Sequence, residues 1–245
     1  MKKILAGNWK MHKTRSEVES FISSFSAQSN SETSIAIAPS PTLLETAVNA
    51  AKGTGIEIYS QNVSFENEGA WTGEISPLQL KDIGVTGSLV GHSERRTHFA
   101  DTDETCAKRA AKAFEHGLKV IYCIGETLEE REAGQTEAVI KKQMAAAIPT
   151  LKNAKASDSN CAIAYEPVWA IGTGKVAGPE QVKEAHEWVQ NELSSAGLNL
   201  PILYGGSVKP SNFGELSAIP HVAGALVGGA SLKSDDFSAL FEILR

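Results

Sequence analysis

Ile4-Leu5-Ala6-Gly7-Asn8-Trp9-Lys10 is the stretch on which the fold turns. It reads as a buried strand, and two α/β architectures diverge at its end. A doubly wound dinucleotide sheet needs Gly-x-Gly-x-x-Gly there, so that a pyrophosphate can rest on the next helix. This chain has Gly7-Asn8-Trp9-Lys10 instead. Further apolar runs follow outward at 35–39, 56–62, 88–92, 118–124, 161–166, 202–206 and 225–228. Most are continuous, as expected of parallel strands covered on both faces. Helical stripes lie between them: Val18, Phe21, Ile22 and Phe25; Ile140, Met144, Ala147 and Leu151; Val182, Ala185, Val189 and Leu193. Ser40-Pro41 and Ser76-Pro77 place a cap ahead of a proline in the first helical turn. Strand and helix alternating eight times, without the dinucleotide fingerprint, predict the α/β class and a closed (β/α)8 barrel of parallel strands.

The 245 residues would fit two average domains, but barrels of this kind reach that length as one. No Pro/Ser-rich linker or composition shift interrupts the chain, so residues 1–245 read as one barrel domain. Apolar residues at 42% and charged residues at 21% suit a soluble globular protein with a substantial core. The 23 Lys and Arg against 29 Asp and Glu leave a net charge of −6. With no basic cluster, that disfavours nucleic acid or an anionic membrane as partner. An acidic chain that binds a phosphate must make its pocket locally positive, through backbone N–H groups and a placed lysine. Cys106, Cys123 and Cys161, with no CxxC, indicate reduced thiols. No apolar run after Lys2-Lys3 suits a signal peptide and none reaches spanning length, so the expected location is cytoplasmic.

In such barrels the loops after the strands carry the chemistry. The sixth of these loops begins where the run at 161–166 delivers Glu166 at its end. Pro167-Val168-Trp169-Ala170-Ile171-Gly172-Thr173-Gly174-Lys175 follows at once. Proton transfer at a carbon next to a carbonyl needs both a base and the exclusion of water. A lone Glu after a strand is ordinarily a solvated cap; Pro167 and the glycine loop reverse that reading. His92 ends the fourth run within Gly91-His92-Ser93-Glu94-Arg95-Arg96, and Ser93 is expected to cap a short helix starting near Glu94. The positive end of that helix would face the imidazole and disfavour its protonation. Lys10 is a strand-end cation, and Asn8, two residues earlier, points to the same face. Tyr204-Gly205-Gly206-Ser207-Val208 and Val227-Gly228-Gly229-Ala230-Ser231-Leu232 put glycine pairs after the last two runs. Close backbone approach and N–H groups near Gly229 suit a phosphate dianion.

Asn8-Trp9-Lys10-Met11, Gly91 to Arg96, the segment 164–175 and the two glycine motifs stand in family order. On these motifs the chain resembles the triosephosphate isomerase family from residue 1 to residue 245, without a large insertion. The resemblance implies interconversion of dihydroxyacetone phosphate and D-glyceraldehyde 3-phosphate through an enediolate, in glycolysis and gluconeogenesis. It implies no metal and no organic cofactor. Glu166 would be the base, His92 the neutral electrophile, and Lys10 and Asn8 the electrostatic support that also binds substrate. Gly172, Ser207, Gly228 and Gly229 would grip the phosphate. Gly172 and Gly174 would sit in a lid whose closure keeps water off the enediolate and suppresses loss of phosphate. Cys123 is read as core packing near the base, and Glu94 and Arg95 as scaffold and interface charges.

Gly69-Ala70-Trp71-Thr72-Gly73-Glu74-Ile75 resembles the protruding loop by which these barrels pair, which implies a homodimer. Thr72 would then lie near the partner's Glu94, and Glu74 near the partner's Arg95. Trp71 suits an interface better than a solvated loop tip. The chain also departs from the family, which often has an Arg near Gln190 and an Asp near Ala223; losing both charges together is nearly neutral. Phe99-Ala100-Asp101 and Pro201 depart as well, with bearing on stability rather than on the reaction. Two competing readings are weaker. A sugar-phosphate isomerase of amino-acid biosynthesis is disfavoured by Asn8-Trp9-Lys10 combined with His92. A catalytically idle phosphate-binding barrel, acting as an interaction module, would be expected to have lost Glu166, His92 or the lid glycines.

Overall fold

The computed structural model describes residues 2–25, 30, 32–171 and 177–245. Strands β1 (Lys3–Asn8), β2 (Thr33–Ala38), β3 (Ile56–Ser60), β4 (Gly87–Val90), β5 (Lys119–Ile124), β6 (Cys161–Tyr165), β7 (Ile202–Tyr204) and β8 (Val222–Val227) close in sequence order into a barrel. Each neighbouring pair is parallel. β8 meets β1 with Leu5 opposite Ala225 and Gly7 opposite Val227. The chain therefore forms the predicted (β/α)8 barrel of the α/β class.

Alternation along each strand sorts its residues into two packed layers. In β1, Leu5 joins the cluster under the helices and Ala6 the cluster inside the barrel. That inner cluster sets Ala36, Ala38, Ala162 and Ala164 among Tyr59, Leu89, Ile121, Leu203 and Leu226. Small and large side chains interlock where large ones alone would not fit. Tyr59 fills the N-terminal end: a Cβ on Gly87 would stand 2.5 Å from its ring. The cavity left there, about 20 Å³, has room for a single water. The floor of the barrel is sealed.

Around the strands run α1 (Arg15–Ser24), α2 (Leu44–Ala50), α3 (Pro77–Asp82), α4 (Ser93–His98), α5 (Asp103–Glu115), α6 (Leu128–Glu132), α7 (Thr136–Asn153), α8 (Pro179–Ser195), α9 (Pro210–Ser217) and α10 (Ser234–Leu244). The three sequence stripes are their buried faces. Val18, Phe21 and Ile22 of α1 are buried, and Phe21 and Phe25 pack against Phe237 of α10. Ile140, Met144, Ala147 and Leu151 of α7 are fully buried, as are Val182, Ala185, Val189 and Leu193 of α8. Each fully buried Leu, Ile or Phe contributes about 1.5–3 kcal/mol. Ser76 caps α3 by accepting the Leu78 N–H at 3.1 Å. Ser40 precedes only a 3₁₀ turn, Pro41–Leu43, and its hydroxyl caps nothing.

Strand ends differ from the apolar runs in a consistent direction. Pairing stops at Ser60, Val90 and Tyr204, before the runs at 56–62, 88–92 and 202–206 are exhausted. The backbone turns away at the C-terminal mouth, with φ 51 at Lys10 and φ 74 at Gly91. β8 begins at Val222 rather than Ala225, and within it Gly224 lies against the Ile4 carbonyl where any Cβ would collide.

Candidate active site

β6 carries Glu166 to the C-terminal mouth, with its N–H on the Ile124 carbonyl at 2.7 Å. The residue is 2% exposed. Its Oε2 accepts the Ser93 N–H at 2.9 Å, and its Oε1 stands 3.1 Å from His92 Nε2. Two glycines make the space. A Cβ on Gly205 would sit 2.8 Å from Glu166 Cγ, and one on Gly125 would collide with the Glu166 backbone. Burial pushes the nearby Cys123 thiol well above its usual range, and the Glu166 carboxylate adds to the push. Cys123 is thus inert packing, as expected.

The cap of α4 is His92 rather than Ser93. Its Nδ1 accepts the Glu94 N–H at 3.2 Å, while the Ser93 N–H goes to Glu166. The expectation that Ser93 would cap is corrected by that demand: the carboxylate takes the first free N–H, and the imidazole takes the next. A nitrogen that accepts carries no proton, so the neutral ring bears its proton on Nε2, facing Glu166. Glu166 Oε1 faces Nε2, and Glu94 Oε2 lies 3.8 Å from Nδ1.

Lys10 adopts left-handed backbone geometry, φ 51, which costs a non-glycine residue about 1–2 kcal/mol. Asn8 Oδ1 accepts its N–H at 3.0 Å, and Gln61 Nε2 donates to its carbonyl at 2.7 Å. Asn8 therefore shapes the Lys10 turn directly. Lys10 Nζ meets Glu94 Oε1 at 2.5 Å. Burial pushes the Glu94 carboxyl up, but the hydrogen bond and charge of Lys10, joined by the charges of His92 and His98, turn the net direction down. The structure thus brings Asn8, Lys10, His92 and Glu166 to one mouth of the barrel. Glu94, Gln61, Gly205 and the Ser93 N–H complete their surroundings, and no motif marks those roles. The Lys10–Glu94 contact spans 84 positions, beyond any local pattern. Only Asn8-x-Lys10 carries a signal, since an Asn side chain often binds the N–H two residues on.

Ser207, Gly228 and Gly229 line a cleft of about 650 Å³ together with Lys10, Ile171 and Val208. Asn212 Nδ2 holds the Ser207 carbonyl at 3.1 Å. The Ser231 N–H and hydroxyl hold the Gly228 carbonyl at 2.9 and 2.7 Å. A Cβ on Gly228 would stand 3.6 Å from Lys10 Cε, an ordinary van der Waals contact, which places the lysine stem beside this glycine. Gly229 opens the 3₁₀ turn Gly229–Leu232. Lys209 and Lys233 also line the cleft and offset locally the −6 charge of the chain. Gly172, expected as a fourth phosphate contact, and Gly174 lie outside the described residues, and with them the lid. The segment leading to them is anchored: Tyr165 Oη and Trp169 Nε1 donate to the wholly buried Glu126 at 3.0 and 2.9 Å.

Among the described residues, no three His, Cys, Asp or Glu side chains are placed to hold a metal. No described helix is long and apolar enough to cross a membrane. On the loop after β3, Trp71 is 46% exposed and meets Phe65 edge-on at 5.4 Å between centroids. Glu74, expected to approach the partner's Arg95, is bound by Arg109 of its own chain at 2.7 Å. Arg95 in turn holds Asp101 at 2.9 Å.

The sequence matches the family model described as triosephosphate isomerase over residues 3–244. It is 44% identical over 244 residues to the triosephosphate isomerase of Geotalea uraniireducens strain Rf4, spanning 97% of this chain and 96% of that protein. The corresponding proteins of Carboxydothermus hydrogenoformans and Citrifermentans bemidjiense are each 44% identical over 246 residues, spanning 98% of this chain and 97% of theirs.

Proposed function

The chain belongs to the triosephosphate isomerase family, and from that membership we propose how its residues divide the reaction. It is an intramolecular aldose–ketose isomerase that interconverts dihydroxyacetone phosphate and D-glyceraldehyde 3-phosphate. In the proposed division, Glu166 removes a proton from the carbon beside the substrate carbonyl and returns it to the neighbouring carbon. His92 Nε2–H and Lys10 Nζ stabilise the negative oxygen that develops between the two transfers. Asn8 holds Lys10 in its turn. Ser207, Gly228 and Gly229 receive the phosphate, with Gly172 as a further contact.

The observation that carries this division is the 3.1 Å contact of Glu166 Oε1 with a His92 whose Nδ1 is already occupied by the Glu94 N–H. One ring nitrogen is left to donate, and it faces the base. Substrate oxygens arriving at Nε2 would compete for that proton and release the carboxylate toward carbon. The base is thus restrained before substrate arrives and freed by it.

A homodimer through the loop around Trp71 to Glu74 belongs to the same proposal. The exposure of Trp71 supports it. Because Glu74 is bound by Arg109, a partner's arginine would share that carboxylate rather than find it free.

The test is a coupled assay in which glyceraldehyde 3-phosphate is supplied and dihydroxyacetone phosphate is read by its reduction with NADH. Glu166→Asp draws the carboxylate back by one methylene and should lower kcat about 100-fold or more with the fold intact. Turnover near that of the parent would remove Glu166 from the role of base.

A further inference from the structure

We propose that Gln61 is a positioning residue that locks the left-handed turn at Lys10 and so aims its ammonium into the cleft. The proposal rests on the reading of Lys10 as the cation of the site. Gln61 directly follows β3, and its Nε2 donates to two backbone carbonyls, Lys10 at 2.7 Å and Ala38 at 2.9 Å. Carbonyl oxygens only accept, so the amide must turn its nitrogen toward them, and both of its hydrogens are used. The Ala38 carbonyl also accepts the Trp9 N–H at 3.0 Å. One side chain therefore ties the end of β2 to the turn that follows β1.

Backbone held in a sparsely populated region persists only where its surroundings over-determine it. At Lys10, with φ 51, the determinants are two: Asn8 grips the N–H and Gln61 grips the carbonyl. With Gln61 gone, the turn is held from one side. Relaxation to negative φ would swing the Cα–Cβ direction and carry Nζ away from Gly228. The Glu94 ion pair does not substitute for the clamp, because a carboxylate that is 43% exposed can follow a displaced lysine.

A double-mutant cycle tests this, using Gln61→Leu, Lys10→Ala and their combination in the coupled assay. Gln61→Leu should lower kcat/KM about 10- to 100-fold with a raised KM, the range that misplacement of a site group produces. Placed on Lys10→Ala, it should cost less than about twofold more, because both changes remove one function. A full further loss in the combination would overturn the proposal, since Gln61 would then act elsewhere. A lowered melting temperature with unchanged kinetic constants would overturn it too, leaving a structural role only. Near-normal kinetics of Lys10→Ala alone would sink the reading of Lys10, and this proposal with it, as a separately visible result.

Should Gln61→Leu fail to fold, Gln61→Glu keeps the shape. As a carboxylate it would face two carbonyls, and as a carboxylic acid it would donate to one. At about pH 8 the carboxylate donates to neither carbonyl, so kcat/KM should fall at least as far as expected of Gln61→Leu. Parental kcat/KM at that pH would overturn the proposal.

Discussion

A single methyl group measures how tightly Glu166 is held. Gly205→Ala would place a Cβ 2.8 Å from Glu166 Cγ and 3.1 Å from the Tyr165 carbonyl, and neither neighbour lies on a flexible tip. The base should shift, and kcat should fall about 100-fold while the far-ultraviolet circular dichroism spectrum is preserved. A parental kcat would show that the carboxylate tolerates the displacement. At His92, nitrogen NMR near pH 7 should find a neutral ring with its proton on Nε2; an imidazolium spectrum would refute the neutral electrophile. Glu166 and His92 were legible in sequence because each closes an apolar run and is followed by residues that bend the chain. Their partners were not legible. The Ser93 N–H bonds a carboxylate 73 positions away, and such a bond leaves no periodicity behind it.

On the scale of elements, α8 brings a histidine into the core. His186 is fully buried, its Nδ1 lies 3.3 Å from the His221 carbonyl, and its Nε2 has no hydrogen-bond partner among the described residues. Its ring meets Tyr165, the last residue of β6, edge-on at 5.9 Å. Burial lowers its pKa from 6.5 to about 4, the bond to His221 opposing the shift and the His221 charge adding to it. The unfolded chain takes up this proton near pH 6.5, whereas the folded protein resists until about pH 4. Stability from this group is therefore complete above 6.5, drains as pH falls from 6.5 to 4, and then levels off, a total of about 3 kcal/mol. Denaturant unfolding at about pH 7 and about pH 4.5 should show a smaller loss in His186→Gln than in the parent. Equal losses would rule out His186 as a source of acid sensitivity. The apolar stripe identified α8 as a helix, but the same stripe hides a histidine that it covers. Strand ends suffered the opposite error, since apolar residues continue past Ser60 and Val90 after the backbone has left the ladder.

For the whole molecule, architecture was the most legible level, because eight repetitions of one unit average out the error in any one boundary. Assembly is the least legible, since it depends on a second copy. Sedimentation should give twice the chain mass, and Trp71→Glu should shift it toward the monomer with a fall in specific activity. A monomeric parent of full activity would refute the pairing. The sealed floor has a consequence of its own. With Tyr59 and the inner side chains closing one end, arrivals and departures use the same doorway. The aldose waiting to enter and the ketose waiting to leave obstruct one another at that threshold. Among the described residues no second exit opens through the floor, so each product must clear the doorway before the next substrate enters.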